Sequence, residues 1–279
     1  MLNILFFYHA YVLYLLSLAI YLTSFFKKRA GLLDWSYVLV IIGFLIHSFS
    51  LVLRATEAGR IPVVGLFESI SFFTWSIILF WIALNLRYQT SVLGFFILPV
   101  VLLLILPTFF VTKEIKPTET ILQRNYWLGI HTTFVFWAYA GFTLAFIGGL
   151  AYLILEEDLK LKGVSKPAGH SIFHSLPSLD TLDTVNYCAL ALGLTFLSGG
   201  IITGALGLKA VRGTYWLWTD PKLIWSLLCW LVYFFLLFLR AFYFWRGRKV
   251  AILSLIGFVV IIFSFFGVNF IFRTFHAFL

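Results

Sequence analysis

The chain has 279 residues, 62% of them hydrophobic and 11% charged, whereas a soluble domain is roughly half apolar and about a quarter charged, so that class is excluded. The formal net charge of +9 does not point to nucleic acid either. The basic residues stand in short clusters between apolar runs, at Lys27 to Arg29 and Arg246 to Lys249, an arrangement that orients segments in a lipid bilayer.

Crossing a hydrocarbon core about 30 Å thick takes roughly 20 apolar residues. Eight such runs follow one another, near 4–26, 36–53, 69–86, 92–111, 127–155, 184–208, 222–245 and 250–272. The expected fold is therefore all-α, a polytopic transmembrane helix bundle of about eight spans. The first run has no basic residue before it, carries KKR after it, and is longer than a signal-peptide core, so it is expected to stay in the mature protein. Alternation puts segments 27–35, 87–91, 156–183 and 246–249 on one side. These hold the dense basic clusters, which predicts a cytoplasmic side, with both termini and segments 54–68, 112–126 and 209–221 facing outward from the cytoplasmic membrane.

No fixed-period repeat or low-complexity tract breaks the chain, so residues 1–279 are expected to form a single domain. The polar segment 156–183, with Gly163, Pro167, Gly169 and Pro177, reads as a cytoplasmic loop between two halves. Its His170 and His174 have i, i+4 spacing, but Gly169 and the turn residues around them argue against helix, and both are read as solvated. Cys188 and Cys229 stand isolated in apolar runs, so neither a disulfide framework nor a zinc site follows. Met1 is the only methionine, which leaves histidine as the main candidate metal ligand.

The stretch from Gly204 to Arg240 carries the densest signal. A helix is expected to end near Leu208, followed by a basic, aromatic segment with Lys209, Arg212, Tyr215, Trp216 and Trp218. A new helix then starts at Asp220-Pro221, where Asp suits the N-cap and Pro the first helical position. The two tryptophans at i, i+2 are expected to make a flat aromatic surface at the membrane boundary, able to receive a large planar ligand. The bland alternative is an aromatic belt at the interface.

This stretch resembles the tryptophan-rich "WWD" signature of the cytochrome c assembly family, the heme-handling membrane proteins of CcsA, ResC and HemX type. The matching residues are Gly204, Ala205, Gly213, Tyr215, Trp216, Trp218, Asp220, Pro221, Lys222, Trp225, Trp230, Tyr233 and Arg240. Further upstream, GRIPVVGLFES resembles the family's Gly-Arg-x-Pro turn leading into a helix opened by a Glu-Ser pair, here Glu68 and Ser69. Glu68 by itself reads as helix-end electrostatics. The sequence departs from the signature at Gly207, Lys209, Ala210 and Arg212, in the extra Thr219, at Leu223 in place of an acidic residue, and at Phe238, where synthase members carry an intramembrane histidine.

Four histidines sit in or beside apolar runs, where ionisable groups are costly and functional by default. His131, in WLGIHTTFVFWAYAGF with Trp127 one turn earlier, and His276, in FFGVNFIFRTFHAF, are both expected at the outer boundary. The resemblance implies that they are the two external histidines that ligate heme beside the tryptophan-rich loop. Two neutral imidazoles on opposite faces of a porphyrin give six-coordinate iron, with aromatics against the macrocycle and Lys or Arg near the propionates. His47 has two open readings, heme ligand or buried hydrogen-bonded imidazole, and His9 reads as a packed interface residue.

The expected site therefore comprises His131, His276, Trp216, Trp218, Tyr215, Trp127, Asp220 and His47, with heme b as the bound group and no catalytic nucleophile from this chain. The resemblance implies a role in cytochrome c biogenesis, holding or delivering heme for attachment to apocytochrome c, beside a membrane partner of ResB or CcsB type. Two rival readings stand beside it. One is a HemX-type relative linked to control of heme biosynthesis, and the other is a cofactor-free transporter or scaffold whose histidines are structural.

Overall fold

The computed structural model describes residues 1–27, 31–115, 126–165, 176–216, 218 and 220–263. Among them there is no strand, and eight helices account for most of the described residues: α1 (Leu2–Lys27), α2 (Gly31–Ala58), α3 (Leu66–Tyr88), α4 (Gly94–Ile105), α5 (Tyr126–Ser165), α6 (Leu179–Arg212), α7 (Pro221–Phe242) and α8 (Arg248–Ile262). Short 3-10 turns flank α4 at Ser91–Leu93 and Leu106–Phe109. Seven of the helical segments are long and apolar enough to cross a membrane. The eighth expected span is described only through Phe263. The all-α, multi-pass architecture is that expected from the apolar runs.

The helix ends follow local chemistry. Ser178 caps α6, its Oγ accepting from the Thr181 amide at 3.2 Å. The same helix runs to Arg212, one turn beyond the end expected near Leu208, and stops where Gly213 adopts φ 74° and returns its N–H to the Lys209 carbonyl. That left-handed residue is one that glycine supplies without strain. At α7 the expected start is observed: Asp220 Oδ1 accepts from the Lys222 amide at 2.8 Å and Pro221 fills the first position.

Two further boundaries differ from the sequence reading, and one of them is the start of α6 at Leu179, inside the segment expected as loop. Segment 156–183 was expected as loop, yet α5 continues to Ser165. Glu156 explains part of the extension, pairing with Lys160 one turn on at 3.1 Å and with Arg248 of α8 at 3.0 Å. An i, i+4 pair of this polarity supports a helix that has outrun its apolar face.

The helices pack as two groups joined through α5. Helices α1 and α2 lie along each other, α4 packs against α1, and α5 packs most extensively against α6 while also touching α3 and α8. Small residues allow the α5–α6 approach: a Cβ on Gly141 would lie 2.8 Å from the Gly193 nitrogen and 2.9 Å from the Ala189 oxygen. In a bilayer, where apolar transfer no longer drives helix association, such close backbone contact is a main source of helix pairing. Aromatic rings fill the joint between the groups, with Phe73 stacked on Phe136 and Phe80 on Phe196.

Buried charges are paired across helices. Arg240 of α7 grips Asp183 of α6 through two bonds, 2.8 and 2.7 Å, and Asp183 also accepts from the Gly247 amide ahead of α8. In the other group Glu68 is nearly inaccessible and takes Arg54 Nε at 3.0 Å, Arg60 Nη1 at 2.7 Å and the Val64 amide at 2.9 Å. Arg54 donates onward to the Lys113 and Glu114 carbonyls. Glu68 is therefore the centre of a buried ion cluster, more than the helix-end charge read from sequence.

Candidate functional site

His131 lies in the second turn of α5, facing α6. Its Nδ1 is 2.7 Å from the Gly200 carbonyl of that helix. A carbonyl oxygen only accepts, so the proton sits on Nδ1 and Nε2 carries the electron pair. Such a bond fixes tautomer and ring orientation, as partners of metal-binding imidazoles commonly do.

The glycines of α6 make room for this ring. A Cβ on Gly204 would lie 2.7 Å from His131 Nδ1 and 2.9 Å from Cε1, a distance no real side chain tolerates. One turn further along, Gly207 meets Trp127, whose Cβ would be 3.1 Å away. The spacing 200, 204, 207 puts these three on one face of α6, and α5 lays its imidazole and indole along it.

Beside the ring opens a small pocket. Helix α5 contributes His131, Val135 and Tyr139, spaced four residues apart, and α6 adds Leu197, Ile201, Gly204, Ala205 and Leu208. The α6–α7 linker supplies Tyr215 and Trp216, and α7 supplies Lys222, Leu223 and Ser226. Most of this lining is apolar or aromatic, with a few polar groups among it, the composition of organic-ligand sites.

The structure brings some of the expected residues together and leaves others apart. His131, Tyr215 and Trp216 line the pocket. Trp218 does not extend a flat surface: its ring lies 5.7 Å from that of Trp216 at 60°, and it is largely exposed. Thr214 accounts for the turn, its hydroxyl donating to the Trp216 carbonyl at 3.1 Å. Trp127 stands beside the pocket against Gly207, and Asp220 is buried as the cap of α7 without lining the pocket.

His47 belongs to the other helix group. It is fully buried, its Nε2 is 3.0 Å from Ser71 Oγ, and its ring lies edge-on to Phe7. His9 is exposed, with Nδ1 2.8 Å from the Leu5 carbonyl of its own helix. His276, His170 and His174 lie outside the described residues.

Sequence reasoning passed over two contributors. Lys222 was noted only within the motif, yet it lines the pocket. Arg54 and Arg60 were not linked to Glu68, because all three fall in segment 54–68, read as facing outward, and only the helix α2 running on to Ala58 buries Arg54. The turn they hold reaches α5: Ile61 packs where a Cβ on Gly129 would be, at 3.2 Å, two residues before His131.

Comparison with known proteins gives a consistent result. The family model described as Cytochrome C assembly protein matches residues 63–276. The chain is 30% identical over 274 residues to the cytochrome c biogenesis protein CcsA of Prochlorococcus marinus (strain AS9601), covering 92% of this chain and 88% of that one. The protein of that name in Synechococcus sp. (strain CC9605) is 28% identical over 262 residues, 87% of this chain and 85% of the other. The one in Chlamydomonas reinhardtii is 34% identical over 239 residues, 82% of this chain and 64% of its own.

Proposed function

Because the chain belongs to the cytochrome c assembly protein family, we propose that it acts in cytochrome c biogenesis by holding heme b at the extracytoplasmic face, in the His131 pocket, for attachment to apocytochrome c. The observation that carries this reading is the His131 imidazole, fixed by the Gly200 carbonyl with its electron pair on Nε2, at the wall of an apolar pocket. The residues present fit the group. A neutral imidazole is a ligand for heme iron, Val135, Leu197 and Ile201 offer apolar walls, and the buried Trp216 Nε1 has no partner among the described residues.

Bound heme would supply the reactive carbons, and the attacking thiols belong to the apocytochrome. The share of this chain is to bind and orient. His131 would hold the iron through Nε2, Tyr215 and Trp216 would pack against the macrocycle, and the Gly200 carbonyl and the small Gly204 keep the imidazole in place. His276 is proposed as a second ligand that would hold the iron, with Trp218, Trp127 and Asp220 supporting the pocket margin and a ResB or CcsB type protein as membrane partner. Holding the acceptor in a fixed pose contributes to rate by orientation alone. The proposed location is the cytoplasmic membrane, with both termini extracytoplasmic.

One observation favours a HemX-type role in control of heme biosynthesis. Phe238, where synthase relatives of the resembling pattern carry histidine, lies in an aromatic ladder with Phe234 and Phe242. Capture of apocytochrome c by the purified protein separates the two roles, and attachment requires it.

The test of heme holding is the absorption spectrum of the purified chain. A Soret band is expected in the wild type and is expected to be lost or shifted in His131→Ala and in His276→Ala, with added imidazole restoring it. A band unchanged in both variants rules out the proposed ligands. No band in the wild type, even after heme is added, favours the cofactor-free scaffold.

A further inference from the structure

Away from His131, the turn between α7 and α8 carries a cluster that the heme reading does not use. Asp183, which holds this turn, and Gly204, which faces His131, both lie on α6. A rise of about 1.5 Å per residue sets them roughly 30 Å apart, the thickness of a hydrocarbon core. The turn reads FYFWRGRK from Phe242 to Lys249, and its cations are not equivalent. Arg240 below it is bound by Asp183, and Arg248 is bound by Glu156. Arg246 and Lys249 are exposed, and among the described residues no carboxylate pairs with either. Lys249 lies instead over an aromatic ring, its Nζ 5.1 Å from the centre of Trp245.

The backbone of the same turn is a second, separate observation. Phe244 adopts φ 53°, the left-handed region that a bulky residue with a Cβ seldom occupies. Nothing inside the chain repays this strain, because Phe244 stacks on no described ring and is 76% exposed. Phe242 and Tyr243 beside it are 68% and 64% exposed. Both continue an aromatic wall on α7, with the Phe238 ring 4.7 Å from Phe242 and 6.1 Å from Tyr243. A strained residue that presents an apolar ring outward next to two unpaired cations points to something bound there.

We propose that the α7–α8 turn is a binding site for an anionic phospholipid, with Arg246 and Lys249 taking the charged headgroup and the exposed rings of Phe242, Tyr243 and Phe244 taking the upper part of its chains. Aromatic rings suit the boundary between headgroups and chains, and basic side chains at that depth attract anionic lipid. A zwitterionic lipid brings the same phosphate together with a cation of its own, which the two side chains repel. An acidic protein segment would meet the charges and leave the three rings uncovered. The site does not depend on whether the His131 pocket holds heme.

The test strips the full-length protein of lipid in a neutral detergent and titrates it with dioleoyl phosphatidylglycerol or dioleoyl phosphatidylcholine, counting retained lipid by native mass spectrometry. The wild type is expected to hold one phosphatidylglycerol about tenfold more tightly than phosphatidylcholine, the scale of two cations beside an anionic headgroup. Arg246→Gln with Lys249→Gln is expected to bring the two lipids together, and Arg246→Lys with Lys249→Arg to keep the preference. Lys27→Gln with Arg87→Gln removes the same charge from the ends of α1 and α3, and is expected to leave the preference in place. Equal retention of the two lipids by the wild type overturns the site. So does a preference lost to the same extent in both glutamine pairs, which is the diffuse attraction of any basic segment.

Phe244→Gly supplies the positive φ without strain and removes the ring. It is expected to leave thermal stability in lipid-free detergent unchanged or raised while retention of phosphatidylglycerol falls, and it decides the question should the Arg246 and Lys249 pair fail to fold. Lower stability without lipid, together with undiminished retention, would assign the ring to the fold and overturn the proposal.

Discussion

At position 204 one methyl group decides how the imidazole sits. An alanine Cβ would lie 2.7 Å from His131 Nδ1, so either the ring leaves the Gly200 carbonyl or α6 moves away from α5. Losing the bond costs about 1 kcal/mol, and forcing extra volume into a packed contact costs about 1–3 kcal/mol. Gly204→Ala is therefore expected to lower heme affinity and shift the Soret band of reconstituted protein. Gly207→Ala is the matched control: its Cβ would crowd Trp127 at 3.1 Å without touching His131, so it should lower thermal stability and leave the band in place. Identical spectra for both variants would mean that His131 is not seated on that carbonyl. The residue type of His131 was legible in the sequence, because an ionisable group beside an apolar run stands out. The weight carried by Gly204 was not, since what a glycine admits depends on the helix that faces it.

Among the elements, α7 shows what local and distant chemistry each contribute. Its start could be read from two adjacent residues, Asp220 and Pro221, because a cap is made within one turn. Its attachment could not. Trp230 donates to Ser198 of α6 at 2.8 Å, Trp225 to the Val260 carbonyl of α8 at 3.3 Å, and Arg240 holds Asp183 at a separation of 57 residues. Arg240 stood in the sequence as a motif residue within the run 222–245 and Asp183 as the last residue of the polar segment 156–183, and their pairing is a tertiary fact that spacing does not encode. The side chains of the pair are only 10% and 11% exposed, so breaking it from one side leaves a charge poorly solvated. Asp183→Asn is expected to cost about 3 kcal/mol, read as earlier loss of helicity on titration with a denaturing detergent. Arg240→Lys, which cannot make both bonds at once, should recover little. The double change Asp183→Asn with Arg240→Gln should cost less than the sum of the two single changes if the residues act as a pair. Strict additivity would show that each works through other neighbours. The extension of α5 to Ser165 escaped the reading for a related reason: its polar end is supported by Lys160 and by Arg248 from another helix, not by an apolar face.

For the whole molecule, the two helix groups make different demands on the site, and two substitutions separate them. His47 lies in the α1–α3 group, fully buried, bonded to Ser71 and packed against Phe7. A macrocycle would have to displace Ser71 or Phe7 to reach its ring. His47→Ala is therefore expected to cost stability through lost packing and a lost hydrogen bond, about 2 kcal/mol, and to leave heme affinity unchanged. Glu68 lies in the same group but is coupled outward. It pairs with both Arg54 and Arg60, and the turn they hold sets Ile61 against Gly129, two residues before His131. Glu68→Gln leaves both guanidinium groups with a neutral acceptor, which is expected to cost about 3 kcal/mol. Because the loosened turn is the one that braces the first turns of α5, heme affinity should fall several-fold as well. Measuring stability and Soret titration on both variants distinguishes the two cases, since both lower the first quantity and only Glu68→Gln lowers the second. If His47→Ala instead abolished the band, His47 would be the ligand and the His131 pocket would not be the principal site. If Glu68→Gln left affinity untouched, the two helix groups would be mechanically independent, and the fixing of His131 would rest on α6 alone.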